Sequence, residues 1–154
     1  MVNLTQKQFL AHKNSPKTFP MFIKINADEI TPIGIFYNLK GKNKFLFESV
    51  SNDNRAGRYS FIGSNPYMSI KSFAENIEIK IGENLQNFKG KVLDYVKRYT
   101  TNDYNNLGLD IPFVGGAIGY VGYDIINQYE VITSKNKTQI DVPEARSEER
   151  RVGK

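Results

Sequence analysis

Alternation of apolar and charged residues marks one β-hairpin in this chain. Isoleucine occupies every second position over residues 77–81, with Glu78 and Lys80 between, which is the pattern of a strand with one face in solvent. A second run, over residues 67–73, precedes it across the short polar turn 74–76. We therefore predict an antiparallel hairpin over residues 67–81.

The N-terminal half predicts four more strands. Residues 21–25 form a short apolar run, and residues 33–39 are apolar on both alternating faces, which is typical of a central strand. The polar turn 40–43 then predicts a hairpin between residues 33–39 and the run 45–50. The last of these strands is predicted over residues 58–63, after a polar, turn-rich segment.

Spacings of three and four residues predict helices. Thr5 and Gln8 have the spacing of a capping box, so a helix is predicted over about residues 6–12. Apolar residues recur with a helical period over 85–99, and a short helix is predicted over 124–129 with its first aspartate as the cap. Together the elements predict an α+β fold, with antiparallel sheets folded over each other and a few packed helices.

Length and composition favour one cytoplasmic domain. The chain has 154 residues, 40% of them hydrophobic, and no cysteine, which excludes disulfides and thiolate zinc sites. No apolar run has the length needed to cross a bilayer, and the first residues lack the apolar core of a signal peptide. We expect a cytoplasmic protein without a membrane partner.

The net charge of +5 does not indicate a nucleic-acid binder, because the basic residues are scattered and no recognition pattern accompanies them. The single histidine, His12, lies on a short polar helix beside Lys13. It has no sequence neighbours suited to catalysis or metal binding, so we expect an exposed bystander. We expect no nucleic-acid partner.

A glycine-rich segment follows the polar, turn-rich stretch of residues 100–109. Gly115, Gly116, Gly119 and Gly122 fall within residues 112–124, but their spacing fits neither of the phosphate-binding glycine motifs. Glycine in a strand also permits close approach of another backbone. We predict a strand here that runs unusually close to its neighbour.

Two ordered motifs resemble one family. Leu46-Phe47-Glu48-Ser49, followed after ten residues by Ser60, resembles the "LLES, ten residues, Ser" signature near the N-terminus of anthranilate synthase component I. The run 112–124, PFVGGAIGYVGYD, is similar to the "PFxGGxxGYxGYD" segment of that family. Aminodeoxychorismate synthase component I, a paralogue that feeds folate synthesis, shares much of both motifs, so both branches remain open.

The resemblance implies that residues 1–145 form an N-terminal regulatory domain that binds the feedback inhibitor L-tryptophan. In the full-length enzyme, chorismate and ammonia from a glutamine amidotransferase subunit give anthranilate and pyruvate. That reaction belongs to a C-terminal chorismate-binding domain, which holds Mg²⁺ and which we expect to be absent from this chain. No cofactor is expected in the fragment itself.

By the same resemblance, the tryptophan-binding residues are Leu46, Phe47, Glu48, Ser49 and Ser60, with Ser49 as the principal contact. Hydroxyl groups can bind the ligand carboxylate, the carboxylate of Glu48 can face its ammonium group, and the apolar neighbours can contact the ring. Phe47 stands where the signature has leucine, which can reshape the apolar slot. Two antiparallel strands in this stretch would bring Ser60 close to Ser49.

No catalytic arrangement is visible in the sequence. The chain offers no nucleophile with a base and no carboxylate cluster suited to Mg²⁺. The adjacent acidic pairs at 28–29 and 148–149 point their side chains apart. We expect the fragment not to be catalytic, and the alternative of another class is a non-enzymatic module that docks a partner.

The last nine residues differ in character from the rest. Residues 146–154 have no apolar period and do not resemble the family. We expect a non-native tail, such as read-through from a sequencing adapter, and leave it outside the predicted fold.

Overall fold

The computed structural model describes residues 4–15, 17–48, 59–101, 105, 107–108, 113, 115–132 and 142–150. In chain order, the elements within these residues are α1 (Gln6–Ala11), α2 (Pro32–Asn38), β1 (Phe45–Glu48), β2 (Ser60–Gly63), β3 (Met68–Phe73), β4 (Asn76–Ile81), β5 (Asn84–Lys89), α3 (Val92–Thr100), β6 (Gly116–Val121), a 3₁₀ helix (Tyr123–Gln128) and β7 (Ala145–Arg150).

The elements confirm the α+β prediction. The described strands form one two-stranded and one five-stranded antiparallel sheet. The chain divides into two compact units. Unit 1 comprises Met1–Thr5 and Met21–Pro66 and contains the small sheet, and unit 2 comprises Gln6–Pro20 and Tyr67–Lys154 and contains the large one.

Helix α2 occupies the place of a predicted strand. The Thr31 hydroxyl accepts a hydrogen bond from the Gly34 amide at 3.1 Å, and Pro32 is the first helical residue, so a capping residue and a preorganised proline start the helix. The strand predicted over residues 33–39 and its hairpin with β1 are therefore wrong. The strand predicted over residues 21–25 is also wrong, since only Ile23 there forms an isolated bridge.

The five-stranded sheet has the order β5-β4-β3-β7-β6. Its central hairpin, β3 with β4, confirms the prediction from isoleucine alternation, and Ala74 at φ 51° forms the turn. The face that carries the isoleucines packs on α3. The buried hydrophobic residues of this core are Met68, Ile70, Ile77, Ile79, Val92, Ile125 and Ala145.

The helix predicted over residues 85–99 forms only in its second half. A turn at Gly82, which has φ 58°, leads β4 into β5, and Gly90 at φ 145° ends β5 before α3 begins. Both conformations favour glycine. Tyr95 and Tyr99 of α3 pack against the core, which confirms their expected structural role.

Strand β7 lies in the middle of the large sheet, between β3 and β6. Leaving residues 146–150 outside the fold was therefore wrong. Backbone pairing is largely independent of side chains, and the polar side chains here find partners: Arg146 pairs with Glu148, and the Tyr67 hydroxyl donates to buried Glu149 at 2.8 Å. The non-native origin of residues 146–154 stays a prediction.

Strand β6 runs very close to β7, as predicted. A Cβ added to Gly119 would lie 1.8 Å from the carbonyl oxygen of Arg146, so the pairing requires glycine at this position. The 3₁₀ helix that follows has Gly122 as its N-cap, without a side-chain cap. The capping role predicted for Asp124 is wrong, because the helix begins one residue earlier.

His12 is half-buried, with its ring 5.1 Å from the ring of Phe19, so it is less exposed than expected. Among the described residues, the helices are all too short or too polar to span a membrane.

Candidate functional site

Glu48 and Ser60 lie directly opposite each other in the ladder of β1 and β2. The next pairs are Phe47 with Phe61 and Leu46 with Ile62. Both Glu48 and Ser60 are exposed, and opposite residues of such a pair have Cβ atoms about 4.5–5.5 Å apart. A carboxylate and a hydroxyl therefore open on the same side at one end of this hairpin.

The sequence-predicted residues divide between the two faces of the hairpin. Leu46 shares a face with Glu48, Ser60 and Ile62, because alternate residues of paired strands point the same way. This face combines two polar groups with two half-buried aliphatic side chains. It therefore presents a carboxylate, a hydroxyl and apolar side chains, which are the groups expected in a site that binds an amino acid.

Phe47 lies on the other face. Its ring is 5.7 Å from that of Phe45, and the ring of Phe45 covers Gly63, where a Cβ would lie only 2.3 Å from it. Phe47 is half exposed at 50%. Its position separates it from the face that carries Leu46, Glu48 and Ser60.

Ser49, the principal predicted contact, lies outside the described residues. The expectation that β2 runs back beside β1 is confirmed by the pairing. The closeness of Ser60 to Ser49 stays a prediction.

The opposite end of the hairpin is fixed by Asn65, which sequence reasoning missed. Its side-chain oxygen accepts from the Lys42 amide at 2.9 Å, and its own amide donates to the Lys42 carbonyl at 2.9 Å. The Ser64 hydroxyl adds a bond to the carbonyl of Lys40 at 3.0 Å. The available signal was Asn-Pro directly after a strand, which is typical of a turn.

Helix α2 supports the hairpin from one side by packing against both strands. Lys44, just before β1, places its ammonium group 5.6 Å from the ring centre of Phe36 and 3.4 Å from the Phe36 carbonyl oxygen. This contact links α2 to the start of β1. The strands that carry Glu48 and Ser60 are thus held by backbone, amide and cation–π contacts within unit 1.

A cavity of about 320 Å³ lies in unit 2, and its lining includes none of the predicted site residues. Its lining includes Glu75, Lys89, Lys91 and Gln128. The Gln128 side-chain amide is already fully engaged, since it donates to the Ser72 hydroxyl and the Ala74 carbonyl. The cavity borders a structural contact and offers little for a ligand.

Tyr129 joins Gln128 in capping α3. The Gln128 side-chain oxygen accepts from the Val92 amide at 2.9 Å, and the Tyr129 hydroxyl oxygen accepts from the Leu93 amide at 3.2 Å. Burial raises the pKa of Tyr129, the Leu93 hydrogen bond opposes this, and the charge of Asp94 adds to the rise. These residues satisfy the first amides of the helix, which otherwise lack intrahelical partners.

Magnesium has no fitting donor set in the described part of the chain, where no three acidic or histidine side chains are grouped. Carboxylate oxygens are the protein ligands that Mg²⁺ uses. The ion implied for the full-length enzyme therefore does not fit the residues that the structure places here.

Comparison with known proteins gives a consistent set of relatives. No protein-family model matches the chain. Anthranilate synthase component 1 of Lactococcus lactis is 38% identical over 125 residues, which is 79% of this chain and 26% of the relative. The same component of Bacillus caldotenax is 36% identical over 141 residues, 88% of this chain and 27% of the relative.

A third relative, from Bacillus subtilis, is 32% identical over 136 residues, 87% of this chain and 26% of its own length. The chain thus spans about a quarter of the length of the curated relatives that it matches. Over most of its own length, this chain resembles anthranilate synthase component 1.

Proposed function

We propose that this chain is the N-terminal regulatory part of an anthranilate synthase component I and binds L-tryptophan at the Glu48–Ser60 end of the β1–β2 hairpin. The observation that carries the proposal is the placement of Glu48 opposite Ser60, with Leu46 and Ile62 on the same face. It agrees with the resemblance, which assigns Leu46, Glu48 and Ser60 to the tryptophan site.

Each group on this face has a role suited to a free amino acid. The carboxylate of Glu48 attracts the ammonium group, the hydroxyl of Ser60 donates to the carboxylate, and the aliphatic pair contacts the indole ring. Ser49, one residue beyond Glu48, supplies a second hydroxyl in this proposal. Phe47, on the opposite face, would support the hairpin through Phe45 rather than contact the ligand.

In the whole protein, we propose that chorismate and ammonia from a glutamine amidotransferase subunit give anthranilate and pyruvate in the cytoplasm, for tryptophan biosynthesis. This lyase reaction and its Mg²⁺ belong to the part of the relatives that this chain does not match. Tryptophan would inhibit allosterically by binding one conformation of the complete protein more tightly than another. The names of the relatives favour this branch over aminodeoxychorismate synthase.

Calorimetric titration with L-tryptophan tests the binding site. The protein to use is a chimera in which residues 1–145 of this chain replace the matching region of the Lactococcus lactis relative. Ser60→Ala should weaken binding by about tenfold, because a hydrogen bond to a charged group contributes about 1.5–3 kcal/mol.

The matched control is Ser69→Ala, which removes a half-buried strand hydroxyl in unit 2. It should leave the affinity unchanged. Equal affinities for the Ser60 variant and the parent chimera would contradict the assignment of the site.

A further inference from the structure

Strand β5 forms one edge of the five-stranded sheet. Among the described strands it pairs with β4 alone, in a continuous register of residues 76–81 against residues 84–89. Proteins commonly protect such an edge with proline, a β-bulge or several charges. The sequence of β5, Asn-Leu-Gln-Asn-Phe-Lys, has no proline and carries one charge, at its last residue. The edge is therefore suited to pairing with a further strand.

The backbone groups of Leu85 and Asn87 point away from β4. Directly after β5, the amide of Gly90 donates to the Glu75 carbonyl at 2.9 Å, so residue 90 faces the β4 side. Alternate residues of a paired strand direct their N–H and C=O groups to the same side. Residues 84, 86 and 88 therefore face β4, and residues 85 and 87, which are exposed, offer their backbone groups outward.

A second β5 strand fits this edge when a two-fold axis passes beside Gln86. In that register Gln86 lies opposite its own copy, and Leu85 lies opposite Asn87 of the second copy, so the outward backbone groups of the two strands meet. The same register places Lys89 opposite Glu83 of the second copy. Opposite charges that face each other across a ladder stabilise it, and like charges destabilise it. Over residues 83–89 this register sets no like charges against each other.

The charged groups at both ends of this segment are accessible. The side chain of Glu83 is fully exposed, and its ion pair with Lys80 has a separation of 3.7 Å. Lys89 is exposed as well. Because a surface ion pair contributes little stability, Glu83 can exchange Lys80 for a lysine of the second copy at little cost. The net charge of +5 opposes association in general, but the pairing segment itself carries one charge of each sign.

We propose that two copies of this chain associate through their β5 edges and form one continuous antiparallel sheet across a two-fold axis. Three observations carry the proposal: the unprotected edge, its outward backbone groups and the charge complementarity of the segment with itself. The interface belongs to unit 2 and does not depend on tryptophan binding in unit 1. A strand of another protein is the alternative occupant, but it would not bring position 86 against its own copy.

Disulfide cross-linking tests the register, because the chain contains no cysteine. Gln86→Cys would place two thiols on directly opposite residues, whose Cβ atoms are about 4.5–5.5 Å apart. Asn87→Cys is the matched control, since position 87 lies opposite position 85 of the second copy. Under mild oxidation of the full chain, we expect the Gln86 variant to form covalent dimers at least about tenfold faster than the Asn87 variant. Equal rates, or faster cross-linking at position 87, would overturn the proposal.

Charge reversal tests the contact of Lys89 with Glu83. Sedimentation equilibrium of the full chain measures the dissociation constant of the dimer. Glu83→Lys should weaken the dimer by about tenfold, because it replaces two attractive pairs by two repulsive ones. Adding Lys89→Glu to this variant restores opposite charges and should recover the affinity of the parent chain.

Glu130→Lys is the control for net charge, since it makes the same change at an exposed position outside β5. It should affect the dissociation constant much less than Glu83→Lys does. A chain that stays monomeric at every soluble concentration would overturn the proposal. A dimer that Glu83→Lys leaves unchanged, or that the double variant does not restore, would overturn it as well. L-tryptophan enters neither measurement, so either result leaves the proposed function standing.

Discussion

The side-chain nitrogen of Gln128 lies 2.8 Å from the hydroxyl oxygen of Ser72, a fully buried serine on β3. The same nitrogen donates to the Ala74 carbonyl, and the Gln128 side-chain oxygen accepts from the Val92 amide. One side chain thus joins the 3₁₀ helix, the β3–β4 turn and the start of α3. Residues 56 positions apart in sequence are held together by this amide.

Gln128→Leu should therefore destabilise the chain by about 2–4 kcal/mol, because it leaves buried polar partners without hydrogen bonds. Urea unfolding followed by circular dichroism measures the loss. Asn127→Ala is the neighbouring control, since its side chain bonds to the local Asp124 carbonyl. A Gln128 variant no less stable than the Asn127 variant would contradict the assigned role.

Gly119 is predicted to be intolerant of any side chain. Gly119→Ala would place a methyl group against the backbone of β7, and the strands must separate to relieve it. We expect a loss of about 2 kcal/mol or more. Ala117→Gly in the same strand should lose only about 0.5–1 kcal/mol. Losses of equal size would show that close pairing of β6 and β7 is not required.

Tyr129 should make stability sensitive to alkaline pH. Its folded-state pKa is raised above the ordinary 10.0, chiefly by burial, so the folded state retains the hydroxyl proton more tightly. The stability that this provides is complete below pH 10 and is lost as pH rises through the folded-state pKa.

Unfolding free energies measured from pH 8 upward test this effect. Tyr129→Phe should flatten the decline above pH 10 relative to the parent chain. Tyr123→Phe, at a 92% exposed position, should leave the decline unchanged. Parallel pH profiles for the parent and the Tyr129 variant would refute the effect.

Asn65 is predicted to fix the hairpin that carries the proposed tryptophan site. Asn65 has φ 52°, a conformation that asparagine tolerates better than alanine. Asn65→Ala should therefore cost about 1–2 kcal/mol and increase hydrogen exchange of the β1 and β2 amides. Asn87→Ala, at an exposed position on β5, is the control. Unchanged exchange in β1 and β2 would contradict the clamping role.

Local sequence patterns correctly predicted elements in which the spacing of apolar residues matches the pattern of buried and exposed positions. The hairpin of β3 and β4 could be predicted from isoleucine alternation because one face of β4 is buried and the other contacts solvent. Residues 33–39 also alternate, but the helix-start signal at Thr31 and Pro32 decides their conformation. The helix-start signal was present in the sequence, and it predicts the conformation of residues 33–39 better than their apolar alternation does.

The proposed site was only partly predictable. The motif spacing indicated that β2 returns beside β1, and the register places Glu48 against Ser60. The bonds of Asn65 to Lys42 join residues 23 positions apart, so no local pattern reveals them. The place of β7 likewise depends on pairing with β3 and β6, which its polar sequence does not predict.

In the proposed function, this chain confers tryptophan regulation through the β1–β2 hairpin. The most direct measurement is anthranilate formation from chorismate and ammonia by the chimera, with and without L-tryptophan. We expect tryptophan to inhibit the parent chimera, and Ser60→Ala to raise the inhibitory concentration by about tenfold without changing the uninhibited rate. Full inhibition of both proteins at the same tryptophan concentration would contradict it.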